Sequence, residues 1–175
     1  MKDLLRANPF RLDAAGIVER AREIRLRIIQ MNSAAGQGHT GADLSEADIL
    51  ATLFFHVLRY SPNAPEEPDR DRFILSKGHG VGGFYCTLAE AGIIDPSLLS
   101  TYLKFDSPLP GHPVRQKTPF VEINTGALGH GLSVGVGLAL SARLDKSRTT
   151  GLPGSTSTFS LETASCRRGP TGRRR

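Results

Sequence analysis

Apolar residues recur at Ile17, Ala21, Ile24, Ile28 and Met31, while Arg20, Arg22, Glu23, Arg25 and Arg27 occupy the gaps. Steps of three and four predict an amphipathic helix over about residues 13–33. The following AAGQGHTG carries glycines that break helical continuity. Ser45 followed by Asp48 forms a weak capping box, and ADILATLFFHVL (47–58) predicts a mostly buried helix. Pro62, Pro65 and Pro68 make residues 60–71 a loop. The apolar run in 72–75 lies between a charged loop and glycine, as a buried strand would. Small residues at 81–91 predict a helix ended by Gly92. Asp95 can cap a short helix over 96–104. Pro108, Pro110, Pro113 and Pro119 then mark a long loop. The run LSVGVGLALSARL (132–144) predicts a buried helix with close-packed glycines.

This order is an α/β pattern with one clear strand and an incomplete sheet. The length of 175 residues suits one domain. Hydrophobic residues at 39% and charged residues at 22% match a globular chain. No apolar run approaches the roughly 20 residues that span a bilayer, so no membrane partner is expected. The first residues lack the apolar core of a secretory signal. Cys86 and Cys166 lie far apart and form no metal-type pair. A reducing, cytoplasmic setting is expected.

Charge changes the picture only at one end. Residues 147–175 hold six arginines and one acid, Glu162, so the whole excess of +5 lies there and residues 1–146 sum to zero. The basicity belongs to a tail, so a nucleic-acid surface on the body is not expected. From about 147, Gly, Ser, Thr, Pro and Arg dominate, which predicts a disordered tail. The chain thus divides into 1–146 and 147–175.

Four of the five histidines follow glycine: His39, His79, His112 and His130. His56 lies in an apolar helical pattern and reads as a packed helix residue. A histidine can donate to a phosphate or hydroxyl, or move a proton near neutral pH. A neighbouring glycine lets backbone and ligand approach closely. His39, His79 and His130 also stand just before predicted helices, where backbone N–H groups can face a phosphate. A single Gly-His pair more often marks a turn than a site. Zinc ligation competes, but no HxxxH or CxxC pair supports it.

Longer blocks are more specific. GHTGADLSEADILATLFFHVLR, DRDRFILSKGHG, PGHP and NTGALGHGLSVGVGLAL occur in this order over about 15–145. Together they resemble the N-terminal half of the transketolase cofactor domain. They are most similar to the form split into two subunits, where LGHG commonly replaces LGQG; here that position is His130.

The resemblance implies a partial thiamine-diphosphate-binding α/β fold and transfer of a two-carbon ketol unit between sugar phosphates, as in the pentose phosphate pathway. It implies that His39 contacts the sugar's reacting oxygens and helps proton transfer, and that His112 binds a donor hydroxyl. His79 would lie near the diphosphate and thiazolium, and the backbone of Gly126, Ala127 and Leu128 would contact the cofactor. Lys77 stands where some members carry asparagine and receives no role. The cofactor does the carbon chemistry while the protein positions sugar and protons. A C-terminal subunit would supply the activating glutamate, in a homodimeric or heterotetrameric assembly.

Family members continue with a strand, a Gly-Asp-Gly segment and a later asparagine, which hold Mg²⁺ through oxygen ligands. This sequence has no such segment, so no metal ligands are expected. Allowed codons for 157–175, read two bases on, spell YVLLGDGELQEGPNWEAA, which looks like that missing segment. The expectation is a truncated chain with a frameshift-derived tail and an incomplete site. The alternatives are an inactive product or interaction fragment, and a relative of the synthase that makes deoxyxylulose phosphate.

Overall fold

A computed structural model describes residues 7–149 and 158–161. Helix α1 runs Ala14–Ala35. Asp13 caps it by accepting from the Gly16 N–H at 2.9 Å. Gly36, at φ 66°, ends it, donating its N–H to the Ser33 carbonyl at 3.2 Å. Ala21, Ile24, Ile28 and Met31 are buried, so the three-and-four pattern marks the core face. Arg20 and Arg27 on the other flank pair with Glu90.

The predicted 47–58 helix begins earlier and is broken. Helix α2 spans Thr40–Ser45 and α3 spans Ala47–Thr52, with Glu46 at the elbow between them. The capping box does not form: Ser45 Oγ donates back to the Ala42 carbonyl at 2.8 Å. Leu53–Val57 is a π-helical turn, which frees backbone acceptors. Asn8 Nδ2 donates to the Phe54 and Leu58 carbonyls at 2.9 and 2.7 Å, and the Tyr60 hydroxyl donates to Phe54 at 3.0 Å. His56 is exposed rather than packed, because the wide turn rotates it outward; its Nδ1 lies 2.7 Å from the Leu12 carbonyl oxygen.

Strand β1, Arg72–Leu75, enters the core. A 3-10 turn, Gly78–Gly80, leads into α4, Val81–Glu90. Gly92 follows at φ 70°. Asp95 caps a short 3-10 helix, Pro96–Thr101, accepting from Ser97 N–H at 2.8 Å. The core is lined by Ile24, Ile28, Leu50, Phe54, Phe73, Phe84 and Phe120 among others, and burying such side chains contributes roughly 1.5–3 kcal/mol each.

Helix α5 spans His130–Thr149. It was expected to be buried, yet Leu132, Val136 and Leu140 are more than half exposed. Gly137 has open space around it. Close packing is evident in the first turn, where a Cβ on Gly131 would meet Ser76 Cβ at 2.3 Å, and Gly135 is also buried. The reason lies in the sheet: among the described residues it has two strands, and it gives α5 little surface to cover.

Strand β2, Thr158–Leu161, runs parallel to β1, pairing Arg72 with Thr158 and Leu75 with Leu161. Residues 147–149 continue α5. Thr158-Phe159-Ser160-Leu161 alternates polar and apolar, a strand period that the Gly, Ser and Arg content of the tail hides. Residues 150–157 and 162–175, with most of the Arg-rich segment, lie outside the described residues.

Candidate active site

The carboxyl end of β1 organises the site, the usual place for a ligand crevice in a parallel sheet. Leu75 O accepts from Thr125 Oγ1 at 2.7 Å, which fixes the start of the 125–129 loop. Ser76 Oγ accepts from the Gly131 N–H at 3.1 Å, which docks the first turn of α5. Lys77 Nζ donates to the Ala42 carbonyl at 2.6 Å and to Ser45 Oγ at 3.1 Å, which ties in α2. Three consecutive residues thereby hold two separate glycine-histidine segments, the one around Gly129-His130 and the one that opens α2.

His39 is the residue before α2, and its ring makes no capping bond. His79 is the centre of the Gly78–Gly80 turn. His112 lies in the proline-rich loop, which α4 anchors: the Tyr85 hydroxyl donates to the Pro110 carbonyl at 3.0 Å and the His112 carbonyl at 3.4 Å. The three rings converge. Centroids of His39 and His79 are 5.6 Å apart, and those of His39 and His112 are 6.4 Å apart, both edge-on.

Gly126 completes the cluster. Its φ is +144°, and a Cβ there would sit 2.9 Å from His112 Cδ2. Gly78 is equally confined, since its Cβ would meet the Thr125 carbonyl carbon at 2.7 Å. Gly126 therefore lies against both His112 and the His79 turn, with Ala127 and Leu128 following it in the same loop. His130 is drawn elsewhere: its Nδ1 lies 3.1 Å from the Ala127 carbonyl oxygen at the start of α5.

Burial holds the His79 imidazole below its usual pKa, and positive charge at His39, Lys77 and His112 adds to this, against a smaller pull from Asp43. Neutral His79 keeps one ring nitrogen as donor and one as acceptor at pH 7. Such a cluster can bind hydroxyls and move protons.

Beneath the rings lies a buried polar layer that the sequence reading missed. Asn32 Nδ2 donates to Thr40 Oγ1 at 3.0 Å and Asp43 Oδ2 at 2.9 Å, and Asp43 Oδ1 accepts from the Gly83 N–H at 3.1 Å. Glu46 Oε2 is 2.9 Å from Lys77 Nζ, with both side chains about 1% exposed. A Cβ on Gly82 would meet Asp43 Oδ2 at 2.8 Å, and one on Gly83 would meet Glu46 Oε1 at 2.6 Å. The available signal was acids on α2 and its elbow facing a glycine-rich α4.

The metal question separates from the cofactor question. Among the described residues, no group of three or more His, Cys, Asp or Glu side chains could hold a metal ion. The crevice does suit an anionic cofactor in part: a glycine cradle at Gly126 beside His112 leaves no room for a side chain, and His79 offers a ring donor.

Comparison with known proteins decides the family. The model for the thiamine diphosphate binding domain of transketolase matches residues 17–159. The chain belongs to the transketolase family. It is 54% identical over 143 residues to one subunit of the apulose-4-phosphate transketolase of Actinobacillus succinogenes, covering 81% of this chain and 51% of that one. It is 42% identical over 123 residues to human transketolase, covering 70% of this chain and 20% of that one. The solved transketolase of Leishmania mexicana superposes with a TM-score of 0.81 at 31% identity, covering 88% of this chain and 24% of that one. The chain spans about half the length of the apulose-4-phosphate transketolase relatives it matches. Among the described residues, no helix is long and apolar enough to cross a membrane.

Proposed function

We propose that this transketolase-family chain serves as the thiamine-diphosphate-binding component in two-carbon ketol transfer between sugar phosphates, and needs a partner subunit to do so. The observation that carries the reading is the convergence of His39, His79 and His112 beside Gly126, within the matched domain. His79 and the backbone of Gly126, Ala127 and Leu128 would hold the cofactor. When bound, thiamine diphosphate supplies the carbon nucleophile that carries the two-carbon unit. His112 binds a sugar hydroxyl. His39, edge-on to both other rings, takes and returns the hydroxyl proton as the sugar is cleaved and rebuilt. No step is assigned to Mg²⁺, for which the described residues offer no ligand set.

The relatives from Actinobacillus succinogenes and Phocaeicola vulgatus are each named as one subunit of their enzyme, which supports a second polypeptide. The row Leu132, Val136 and Leu140 on α5 is apolar surface that this second polypeptide would cover. The apulose-4-phosphate relative supports a sugar-phosphate substrate. Calorimetric titration with thiamine diphosphate and Mg²⁺, with and without the partner subunit, tests the reading. Binding and ketol transfer are expected in the mixture. Absence of both there overturns the function, and tight Mg²⁺-dependent binding by the chain alone overturns the need for a partner.

A further inference from the structure

The Lys77 ammonium donates to two acceptors and pairs with a buried carboxylate. The Ala42 carbonyl lies at 2.6 Å, Ser45 Oγ at 3.1 Å and Glu46 Oε2 at 2.9 Å. All belong to one short stretch, the end of α2 and its elbow. Ala42 and Ser45 sit on the helix that His39 opens, and Lys77 itself precedes the Gly78–Gly80 turn that carries His79. The backbone at Lys77, φ −77° and ψ 69°, belongs to neither strand nor helix. The Lys77 side chain is therefore one link between these two histidine-bearing segments.

We propose that Lys77, with Glu46 as its buried acceptor, is a positioning residue that sets the spacing of His39 and His79. Neither residue reaches the rings by a hydrogen bond, so the role is to hold and not to react. The inference rests on the site reading above, because it concerns the same rings.

Burial alone would favour an apolar pair at this place. Replacing a buried ion pair by hydrophobic groups is often neutral or stabilising. A lysine kept at about 1% exposure therefore points to geometry: one cation can donate to two acceptors and pair with a carboxylate, which a methyl group cannot. The surrounding glycines agree. A Cβ on Gly80 would lie 3.0 Å from Glu46 Oε2 and 3.1 Å from Lys77 Cε, so the turn is packed directly on the pair. Burial pushes the Glu46 carboxyl up, to about 8, against the pull of Lys77, and Asp43 adds to the rise.

The test is proton NMR of the full chain, reading the cross-ring contact between His39 and His79 in three variants. Glu46→Gln keeps an acceptor for the cation and should keep the contact. Lys77→Met should stay folded or lose stability by leaving Glu46 without its cation. The double variant Glu46→Gln, Lys77→Met removes both charges and should fold, with the ring contact weakened at least about threefold in either Lys77 variant that folds. An undiminished contact in a folded Lys77→Met chain overturns the proposal. So does failure of the double variant to fold, which would make the pair a stability element. Titration of the wild-type chain and its partner with thiamine diphosphate is a separate arm: its failure sinks the cofactor reading and leaves the ring measurement intact.

Discussion

His39 and His79 meet edge-on with ring centroids 5.6 Å apart, one leading into α2 and the other held in the turn after β1. Burial makes His79 hold its proton less tightly, and the neighbouring His39 ring and buried Lys77 cation add to this. A base whose folded pKa is depressed loses stability as pH falls below the unfolded value of about 6.5. Replacing His79 by Gln should flatten the acid side of the stability profile between pH 7 and 5. Denaturant midpoints of wild type and His79→Gln across that range check this, and parallel profiles would show that the ring is not coupled to folding.

Glu46 predicts the opposite slope. Its folded pKa is raised from 4.5 to about 8, chiefly by burial. The folded state therefore binds the proton more tightly than the unfolded chain, and the stabilisation present below pH 4.5 is lost as pH rises toward 8. The loss should be on the order of a few kcal/mol. Thermal melts at pH 5 and pH 8.5 should show a larger fall for wild type than for Glu46→Gln. Equal falls in the two proteins would contradict the assignment.

Much of this arrangement was legible before any coordinates, and for identifiable reasons. Helix α1 carries its own start and stop in Asp13 and Gly36, and its period marks Ile24 and Ile28 for the core. The family was legible because GHTG, SKGHG, PGHP and NTGALGHG stand in one order. Convergence of the rings was not, since it depends on β1 and on Tyr85 anchoring a distant loop. Asp43 and Glu46 are buried against the glycines of α4, a packing that depends on how the two helices meet. The exposed row on α5 was misread because an apolar run is the same in sequence whether or not a neighbour covers it.

The tail admits a prediction at the level of the gene. Residues 158–161 form a strand parallel to β1, and the shifted reading YVLLGDGELQEGPNWEAA also begins with a strand-forming run. The bases encoding 157–175 are expected to spell Gly-Asp-Gly when read two bases on. Sequencing that stretch decides it, and a shifted frame without Gly-Asp-Gly would end the idea.

Two glycines should be as demanding as the histidines. Gly78→Ala places a Cβ 2.7 Å from the Thr125 carbonyl carbon, which is backbone and cannot swing away. Gly126→Ala adds a Cβ at φ +144° and 2.9 Å from His112. The first should cost about 1–3 kcal/mol by overpacking. The second should cost a similar amount through backbone strain and should displace His112. Melting temperatures and His112 chemical shifts distinguish the two, because Gly126→Ala should move the ring signal more than Gly78→Ala does. If both alanine variants melt with wild type, the close approaches are not present in solution.

Arg70 offers the sharpest stability test away from the rings. It is 1% exposed, its guanidinium pairs with Glu122, and it lies 4.3 Å from the centroid of Phe120. It also donates to the Asp71 carbonyl at 3.1 Å and to the Pro65 carbonyl at 2.5 Å, so it closes the 60–71 loop onto the core. Removing one partner leaves the other charge buried without its mate, which costs about 3–5 kcal/mol. Glu122 retains Arg72 at 3.2 Å, so Arg70→Met leaves it a second cation. Glu122→Gln instead strands the more deeply buried Arg70. Glu122→Gln should therefore destabilise the chain more relative to its small change in volume, and Arg70→Met should lose the cation–aromatic contact as well. Urea midpoints of both variants and of the double variant give the coupling energy directly. A coupling near zero would mean that the pair is solvent-screened, which the burial of both side chains argues against.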